Sequence, residues 1–279
     1  MTTSRTTSLD LDRATIEAFR ADGAVPLRGV IDADWLAVVA DSIEADIAEP
    51  GPFYHGYDNG DGKRFHGNLR IWESHEGFRR YCFESPLPSL ARQLMGSERV
   101  NLFYDQLFVK EADSASPTRW HNDQPYWPVR GRQVVSFWLA IDAVDLTSGG
   151  LEFVAGSHWW DRWFQPETFG KTAHSYSRNA DYEPMIDIDA ERDQYRILSW
   201  ALEPGDVLAF SAMTVHGAPA NQHPERRRRG YAVRYTGDDA TYLEADGMSA
   251  PLFVDYLDNG DPIGGVQFPE VTPDVTPRS

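Results

Sequence analysis

The chain has 279 residues, of which 41% are hydrophobic and 13% aromatic, and this composition excludes a disordered protein. Its formal net charge of −17 disfavours nucleic acid and anionic membranes as partners, because both are bound through Lys and Arg. The acidity itself has two open interpretations, which are solubility and the attraction of a cationic substrate.

Cysteine content and the first residues predict the compartment. The single cysteine, Cys82, rules out an intramolecular disulfide and is typical of a reducing environment. Residues 1–8, which we interpret as a loose tail, lack the apolar core of a signal peptide. No stretch approaches the ~20 apolar residues of a membrane span. We therefore expect a cytoplasmic monomer or homodimer with no membrane partner.

The region from residue 10 to residue 95 has the spacing of helices. Apolar residues recur at helical intervals, and Asp, Gly and Pro stand where helices begin and end. The pattern predicts a helix over 10–22, a short strand over 24–27, a helix from Asp32 or Asp34 to about Ala48, and helical structure over 75–95 with a break at Pro86.

Residues 53–70 interrupt this helical region. They are rich in Gly, Asp, Asn, Tyr and His and show no periodicity, which predicts a long loop. Long ordered loops are often functional, so Tyr54 is a candidate residue of a pocket rim. A surface loop without a functional role is the alternative.

Short strands separated by turn residues follow from residue 100. Helices first and strands afterwards predict an all-β core with N-terminal helices, arranged as a double-stranded β-helix, the jelly roll of cupins. We expect one domain over 1–279, with the jelly-roll core at 100–236, a long polar and aromatic insert at 159–195, and a C-terminal extension at 237–279. We expect the insert and the 53–70 loop to form the pocket rim.

His121 and Asp123 stand two residues apart in a stretch that also contains Trp120, Tyr126 and Trp127. In an extended chain such side chains leave the same face of a strand. Two histidines and one carboxylate on one side of a metal are typical of non-haem Fe(II) oxygenases. His216, beside a glycine after a probable core strand, is a candidate third ligand, and a hydrogen-bonded structural histidine is the alternative.

Four consecutive arginines, Arg226 to Arg229, lead into an apolar strand. A guanidinium that points inward there needs an anion, because an unpaired buried charge is very costly. Arg binds carboxylates through a bidentate fork. A dicarboxylate that chelates the metal at one end and pairs with one Arg at the other meets both demands, and 2-oxoglutarate is such a molecule.

The sequence resembles the phytanoyl-CoA dioxygenase family of Fe(II)/2-oxoglutarate-dependent oxygenases, which includes ectoine hydroxylase. The matching motifs are Trp-His-Asn-Asp at 120–123, the block Ser-Gly-Gly-Leu-Glu-Phe-Val-Ala-Gly-Ser-His at 148–158, Glu-Pro-Gly-Asp at 203–206, Val-His-Gly at 215–217, and residues 228–235. One departure is Ala218, where many members have a serine.

The resemblance implies roles for individual residues. It implies His121, Asp123 and His216 as iron ligands and as the catalytic centre. It implies Arg228 as the partner of 2-oxoglutarate, although the spacing from His216 leaves Arg226 and Arg227 open. It implies Trp138, Gln106 and Lys110 as further cosubstrate-binding residues, and Trp127 and Ser136 as substrate- or cosubstrate-binding residues. Tyr54, in the 53–70 loop, is a further candidate for substrate binding at the rim.

The implied activity is hydroxylation of an unactivated C–H bond in a small molecule. Fe(II) would be the bound cofactor, 2-oxoglutarate and O2 would be consumed, and succinate and CO2 would be released. Related halogenases lack the metal-binding carboxylate, so Asp123 argues against halogenation. Two alternatives remain, which are a cupin-type metalloenzyme that does not use oxoglutarate and a catalytically silent jelly-roll binding protein.

Overall fold

The computed structural model describes residues 9–57, 65–114, 117–167 and 176–271. Its α-helices are α1 (Arg13–Asp22), α2 (Ala33–Ala48), α3 (Glu76–Glu84) and α4 (Leu87–Met95). The carboxylates of Asp12 and Asp32 accept hydrogen bonds from backbone N–H groups and so cap α1 and α2. The helical prediction is confirmed, and the break at Pro86 separates α3 from α4 because proline cannot donate to the preceding helix.

The strands are β1 (Ala24–Leu27), β2 (His55–Tyr57), β3 (Phe65–Leu69), β4 (Asn101–Lys110), β5 (Thr118–His121), β6 (Val129–Arg130), β7 (Val134–Ala140), β8 (Glu152–Val154), β9 (Ile197–Ser199), β10 (Val207–Ser211), β11 (His216–Ala218), β12 (Arg228–Thr236) and β13 (Thr241–Tyr242). A seven-stranded major sheet has the order β1-β10-β7-β12-β4-β3-β2, and a four-stranded minor sheet has the order β5-β11-β8-β9. Strands β13 and β6 pair separately. The expected jelly roll is confirmed.

The two faces of the major sheet pack against different partners, as strand β12 illustrates. Tyr231, Val233 and Tyr235 belong to the apolar core that also contains residues of α2, α3 and α4, and we call this the outer face. The alternate residues point to the opposite, inner face. There Ala232 packs with apolar residues of both sheets, including Phe153 of β8. The inner face therefore looks into the space between the two sheets.

The prediction of one long loop over 53–70 is wrong at both ends, and residues 58–64 lie outside the described residues. Strands β2 and β3 extend the major sheet, and β3 pairs with β4. The polar residues His66 and Asn68 are buried because both hydrogen-bond the Asp46 carboxylate on α2, at 2.8 and 2.7 Å. Because these buried positions are polar, β3 lacks the hydrophobic alternation by which a strand is predicted from sequence. With β1, three strands from before residue 100 join the sheet.

The insert and the C-terminal extension both pack against the core. Phe164 and Ile188 of the insert are buried with Val154 and Val215. The C-terminal segment contributes Leu252, Ile263 and Phe268 to a core cluster that also contains Trp127. Within the described ranges, no helix has both the length and the apolar character needed to cross a lipid bilayer.

Candidate metal and cosubstrate site

A His-Asp-His triad lies where the minor sheet meets the cavity. His121 is the last residue of β5 and His216 the first of β11, and the two are directly opposite in the antiparallel pairing. Asp123 Oδ1 lies 3.4 Å from His121 Nε2 and 3.9 Å from His216 Nε2. One ligand atom from each residue lies within 4.8 Å of the others. The chain therefore gathers two imidazoles and one carboxylate around one point.

Hydrogen bonds fix the orientation of each member of the triad. His121 Nδ1 lies 2.8 Å from the Arg119 carbonyl and His216 Nδ1 lies 2.9 Å from the Thr214 carbonyl, so each Nδ1 donates and each Nε2 faces Asp123. Metal-binding histidines commonly have their second nitrogen held in this way. The Ser136 hydroxyl donates to Asp123 Oδ2 over 3.3 Å. The three side chains are thus held in place before any metal binds.

The protonation states of Asp123 and His216 are suited to binding a metal cation. Burial acts to raise the pKa of Asp123, but His216, which is protonated in the acidic range where Asp123 titrates, a hydrogen bond from His121 and the charge of Arg234 outweigh it and bring the pKa to about 2. Burial, aided by the charge of His121, lowers the pKa of His216 to about 4. Asp123 is therefore ionised and His216 neutral at pH 7, which are the forms that bind metals.

The triad opens into a cavity of about 760 Å³ between the sheets. Aromatic side chains dominate its wall, and the rim includes residues 52–56, 176–177 and 247–251. The charged side chains among the described lining residues are Asp123, Arg228 and Arg234. Mostly apolar walls with a few convergent polar groups are typical of small-molecule sites.

Two buried cations lie opposite each other, one at the start of β12 and one at the end of β4. Arg228 is directly opposite Lys110 of β4, and the two side chains are 3% and 0% exposed. Lys110 Nζ reaches the Thr118 hydroxyl and the Pro219 carbonyl, each over 3.3 Å. Arg228 Nε has no hydrogen-bond partner, and neither cation forms an ion pair within the described part of the chain. Among the described residues, the pair therefore has no anionic partner.

The pKa values of Arg228 and Lys110 reflect the missing anionic partner. Burial lowers the pKa of Arg228 to about 10, although the charge of Asp142 acts in the opposite direction. Burial, together with the charge of Arg228, holds the pKa of Lys110 well below its usual value. A carboxylate placed beside the two would restore both pKa values, because an opposite charge favours the charged form.

Trp138 forms the floor beside Arg228. The Arg228 guanidinium carbon lies 5.3 Å from the centre of the Trp138 ring. The ring crosses β12 at Gly230, where an added Cβ would come within 2.1 Å of the indole. The missing side chain of Gly230 therefore makes room for the indole.

The remaining predicted site residues occupy different depths. Gln106 and Trp127 line the cavity. Tyr54 is at the rim and 41% exposed. Ser136 is fully buried behind Asp123, and Lys110 lies behind the cavity wall; neither belongs to the described residues that line it. Beside the triad and Arg228, the structure thus groups four predicted residues on the wall and two behind it.

Sequence reasoning missed part of the wall. Arg234, Tyr104, Tyr126 and the segment 247–251 all line the cavity. Arg234 was accessible to reasoning, since residues 228 and 234 have the same parity on one strand and so share a face. The C-terminal segment carried no such signal, because an irregular segment has no period.

Comparison with known proteins identifies the family. A family model described as "Phytanoyl-CoA dioxygenase (PhyH)" matches residues 19–230. The dioxygenase lolE1 of Epichloe uncinata is 27% identical over 220 residues, which cover 76% of this chain and 78% of the relative.

Two solved structures show the same fold. The epimerase SnoN from nogalamycin biosynthesis, in complex with Fe3+, alpha ketoglutarate (2-oxoglutarate) and nogalamycin RO, has a TM-score of 0.71 at 24% identity and covers 93% of this chain and 98% of its own. EctD from S. alaskensis, with 2-oxoglutarate and 5-hydroxyectoine, has a TM-score of 0.62 at 18% identity, covering 81% and 76%. Because the family model spans most of the chain, the chain belongs to the phytanoyl-CoA dioxygenase family and is a dioxygenase.

Proposed function

We propose that the protein is an Fe(II)/2-oxoglutarate-dependent dioxygenase that hydroxylates an unactivated C–H bond of a small molecule and releases succinate and CO2. One observation carries the proposal. A complete two-histidine, one-carboxylate triad and a buried cation pair that has no anionic partner among the described residues occupy the same inter-sheet region. A metal with open coordination positions and a dicarboxylate would complete both parts.

The donor set fits iron. Two imidazoles and one carboxylate on one side of a metal leave positions for other ligands, as non-haem Fe(II) oxygenases require. We assign His121, Asp123 and His216 to the metal. Their backbone and Ser136 hydrogen bonds would keep the ligand atoms in place during turnover.

The cation pair fits the far carboxylate of 2-oxoglutarate. Arg228 offers a bidentate fork, and the Arg228 Nε that lacks a partner is one of its donors. Lys110, opposite in the sheet, adds positive charge from behind, and Trp138 provides an apolar surface beside the guanidinium. We assign Arg228, Lys110, Trp138 and Gln106 to the cosubstrate.

When bound, Fe(II) with 2-oxoglutarate supplies the oxidising power, with consumption of O2 and formation of succinate and CO2. The protein's own contribution is to position the reactants and to exclude water. Asp123, ionised at pH 7, keeps a negative charge beside the metal, while His216 stays neutral. Trp127 on the wall and Tyr54 at the rim would contact the substrate.

The two alternatives fit less well. A metalloenzyme that does not use oxoglutarate has no need for the Arg228–Lys110 pair. A silent binding protein has no need for a complete triad. SnoN, an epimerase, and EctD, solved with 5-hydroxyectoine, have the same fold, so the product must be identified directly. Hydroxylation adds one oxygen atom to the substrate, whereas epimerisation leaves its mass unchanged.

The test is succinate formation from 2-oxoglutarate by the Fe(II)-loaded protein. We expect slow turnover without substrate, dependent on both Fe(II) and O2, and faster turnover when a substrate is present. Fully iron-loaded protein that neither binds 2-oxoglutarate nor forms succinate would contradict the proposal. A control without added Fe(II) measures the background.

A further inference from the structure

A third buried cation, Arg234, is not used by the proposed chemistry. It lies on the inner face of β12, is 4% exposed and lines the cavity. Its guanidinium carbon lies 4.4 Å from the centre of the Tyr104 ring and 5.2 Å from that of Trp127. Ring faces offset part of the charge, but Arg234 Nε and Nη1 have no hydrogen-bond partner among the described residues. A buried guanidinium of this kind requires an anion.

Arg234 lies beside the metal triad rather than beside Arg228. In the major sheet it is directly opposite Ser136, whose hydroxyl donates to Asp123. Arg228 is six residues away along the same extended strand, which separates the two Cα atoms by roughly 20 Å. The two arginines therefore serve different parts of the cavity, and a second anionic group is needed for Arg234.

The charges of the loaded cavity point to the substrate as the source of that anion. Fe(II) and the dianion 2-oxoglutarate cancel each other, and the charged side chains among the described lining residues, Arg228, Arg234 and Asp123, sum to +1. Asp123 is assigned to the metal, so one positive charge remains in the loaded cavity, and Arg234 is the arginine on the side of the triad. An apolar wall strengthens the field of a single uncompensated cation. The cavity thus favours an anion even though the whole chain carries −17.

We propose that Arg234 is the substrate anchor and that the substrate is an organic carboxylate with a flat, unsaturated or aromatic body. The carboxylate pairs with the Arg234 guanidinium, and the body lies against Tyr104 and Trp127. This inference rests on the proposed function, because only a loaded iron and oxoglutarate site leaves Arg234 as the uncompensated charge. It also replaces the cationic substrate that the acidic composition left open.

The test uses 2-naphthoate and its neutral counterpart 2-naphthamide as probes of the anaerobic Fe(II)–2-oxoglutarate protein. We expect calorimetry to show that the carboxylate binds about tenfold to hundredfold more tightly than the amide, as a charge-assisted hydrogen bond implies. Arg234→Gln should remove this preference and leave 2-oxoglutarate affinity within about threefold. Arg234→Lys should retain part of the preference, because the ammonium keeps the charge but loses the fork.

Arg130→Gln is the matched control, since Arg130 also lies over a tryptophan, Trp163, but is exposed and outside the cavity. Equal binding of the two probes by wild-type protein overturns the inference, even if Arg234→Gln does not fold. A tenfold loss of 2-oxoglutarate affinity in Arg234→Gln, with the probe preference intact, assigns the anion to the cosubstrate and also overturns it. Wild-type protein that binds no 2-oxoglutarate instead refutes the proposed function.

Discussion

The two faces of strand β12 bury polar groups in different ways. On the outer face, the Tyr231 hydroxyl donates to Asp105 and the Tyr235 hydroxyl donates to the Cys82 carbonyl, both over 2.6 Å. These side chains are fully buried in the apolar core beneath the helices. Each of these two hydroxyls has a partner within the chain, so neither tyrosine of this face needs a ligand.

The inner face of the same strand buries Arg228 and Arg234, and their Nε atoms have no partner in the described structure. Unpaired buried charges destabilise a fold by several kcal/mol each. A protein retains such groups where a ligand supplies the missing charge. The comparison teaches that the outer face maintains the fold, whereas the inner face is completed by what it binds.

The largest effect should come from the metal triad. His216→Ala removes one of two imidazoles, so we expect iron affinity to fall by more than about 100-fold, the upper range for loss of a mere supporting group. Succinate formation should fall to background, with the melting temperature of the metal-free protein little changed. His158→Ala is a suitable control, because His158 hydrogen-bonds the Arg20 carbonyl outside the cavity. Unchanged iron content in His216→Ala would remove His216 from the site.

The outer face contains one carboxyl group that should titrate near neutral pH. Burial raises the pKa of Asp105 to about 7, although hydrogen bonds from Tyr231 and the Trp72 N–H oppose the shift. The unfolded value is about 3.9. The folded state therefore holds the proton more tightly, and this contribution to stability is complete below about pH 4 and lost as pH rises through about 7.

Asp105→Asn isolates this effect. From pH 5 to pH 8, the free energy of unfolding of the wild type should fall by roughly 2–3 kcal/mol relative to the variant. Urea unfolding across this range measures the difference. Parallel curves for the two proteins would show that Asp105 keeps an ordinary pKa and that the outer face carries a permanent charge.

Gly230→Ala tests the inner face of β12, because the added methyl group fills the space that Trp138 occupies. Overpacking of this kind costs about 1–3 kcal/mol, and the displaced indole should also weaken 2-oxoglutarate binding. Unfolding and cosubstrate titration would report the two effects. Gly264→Ala is the matched control, since its added Cβ meets nothing within 4 Å. Unaltered stability and affinity in Gly230→Ala would exclude Trp138 as the floor of the site.

The sequence predicted the metal triad and Arg228 better than it predicted the other residues of the cavity wall. His121 and Asp123 were paired by assuming one extended strand, but β5 ends at His121 and Asp123 has helical dihedral angles, so a turn and not strand alternation brings its carboxylate to the site. The structure sets His216 opposite His121. The family resemblance implied Arg228 among four arginines while leaving Arg226 and Arg227 open, and Arg228 is the one that the fold buries. Its neighbour Arg229 pairs with Asp142 at the surface side, which a local pattern cannot foresee.

Other parts depended on contacts between distant segments. Strand β3 was missed because its polar residues are buried only through Asp46, some 20 positions earlier in the chain. The wall formed by residues 247–251 comes from an irregular segment that packs beside Trp127. Such contacts depend on tertiary packing, and neither periodicity nor a turn motif records them.

The most direct test of the central claim compares 2-oxoglutarate with 2-oxopentanoate, which has a methyl group in place of the far carboxylate. Removing one partner of a buried charge pair costs about 3–5 kcal/mol, or roughly two to three orders of magnitude in affinity. Anaerobic calorimetry of the Fe(II)-loaded wild type should show a preference of that size for 2-oxoglutarate. Arg228→Ala should abolish most of it, Arg228→Lys should restore a part, and Arg226→Ala, at an exposed position, should leave it intact. An equal preference in wild type and Arg228→Ala would contradict the account of the inner face.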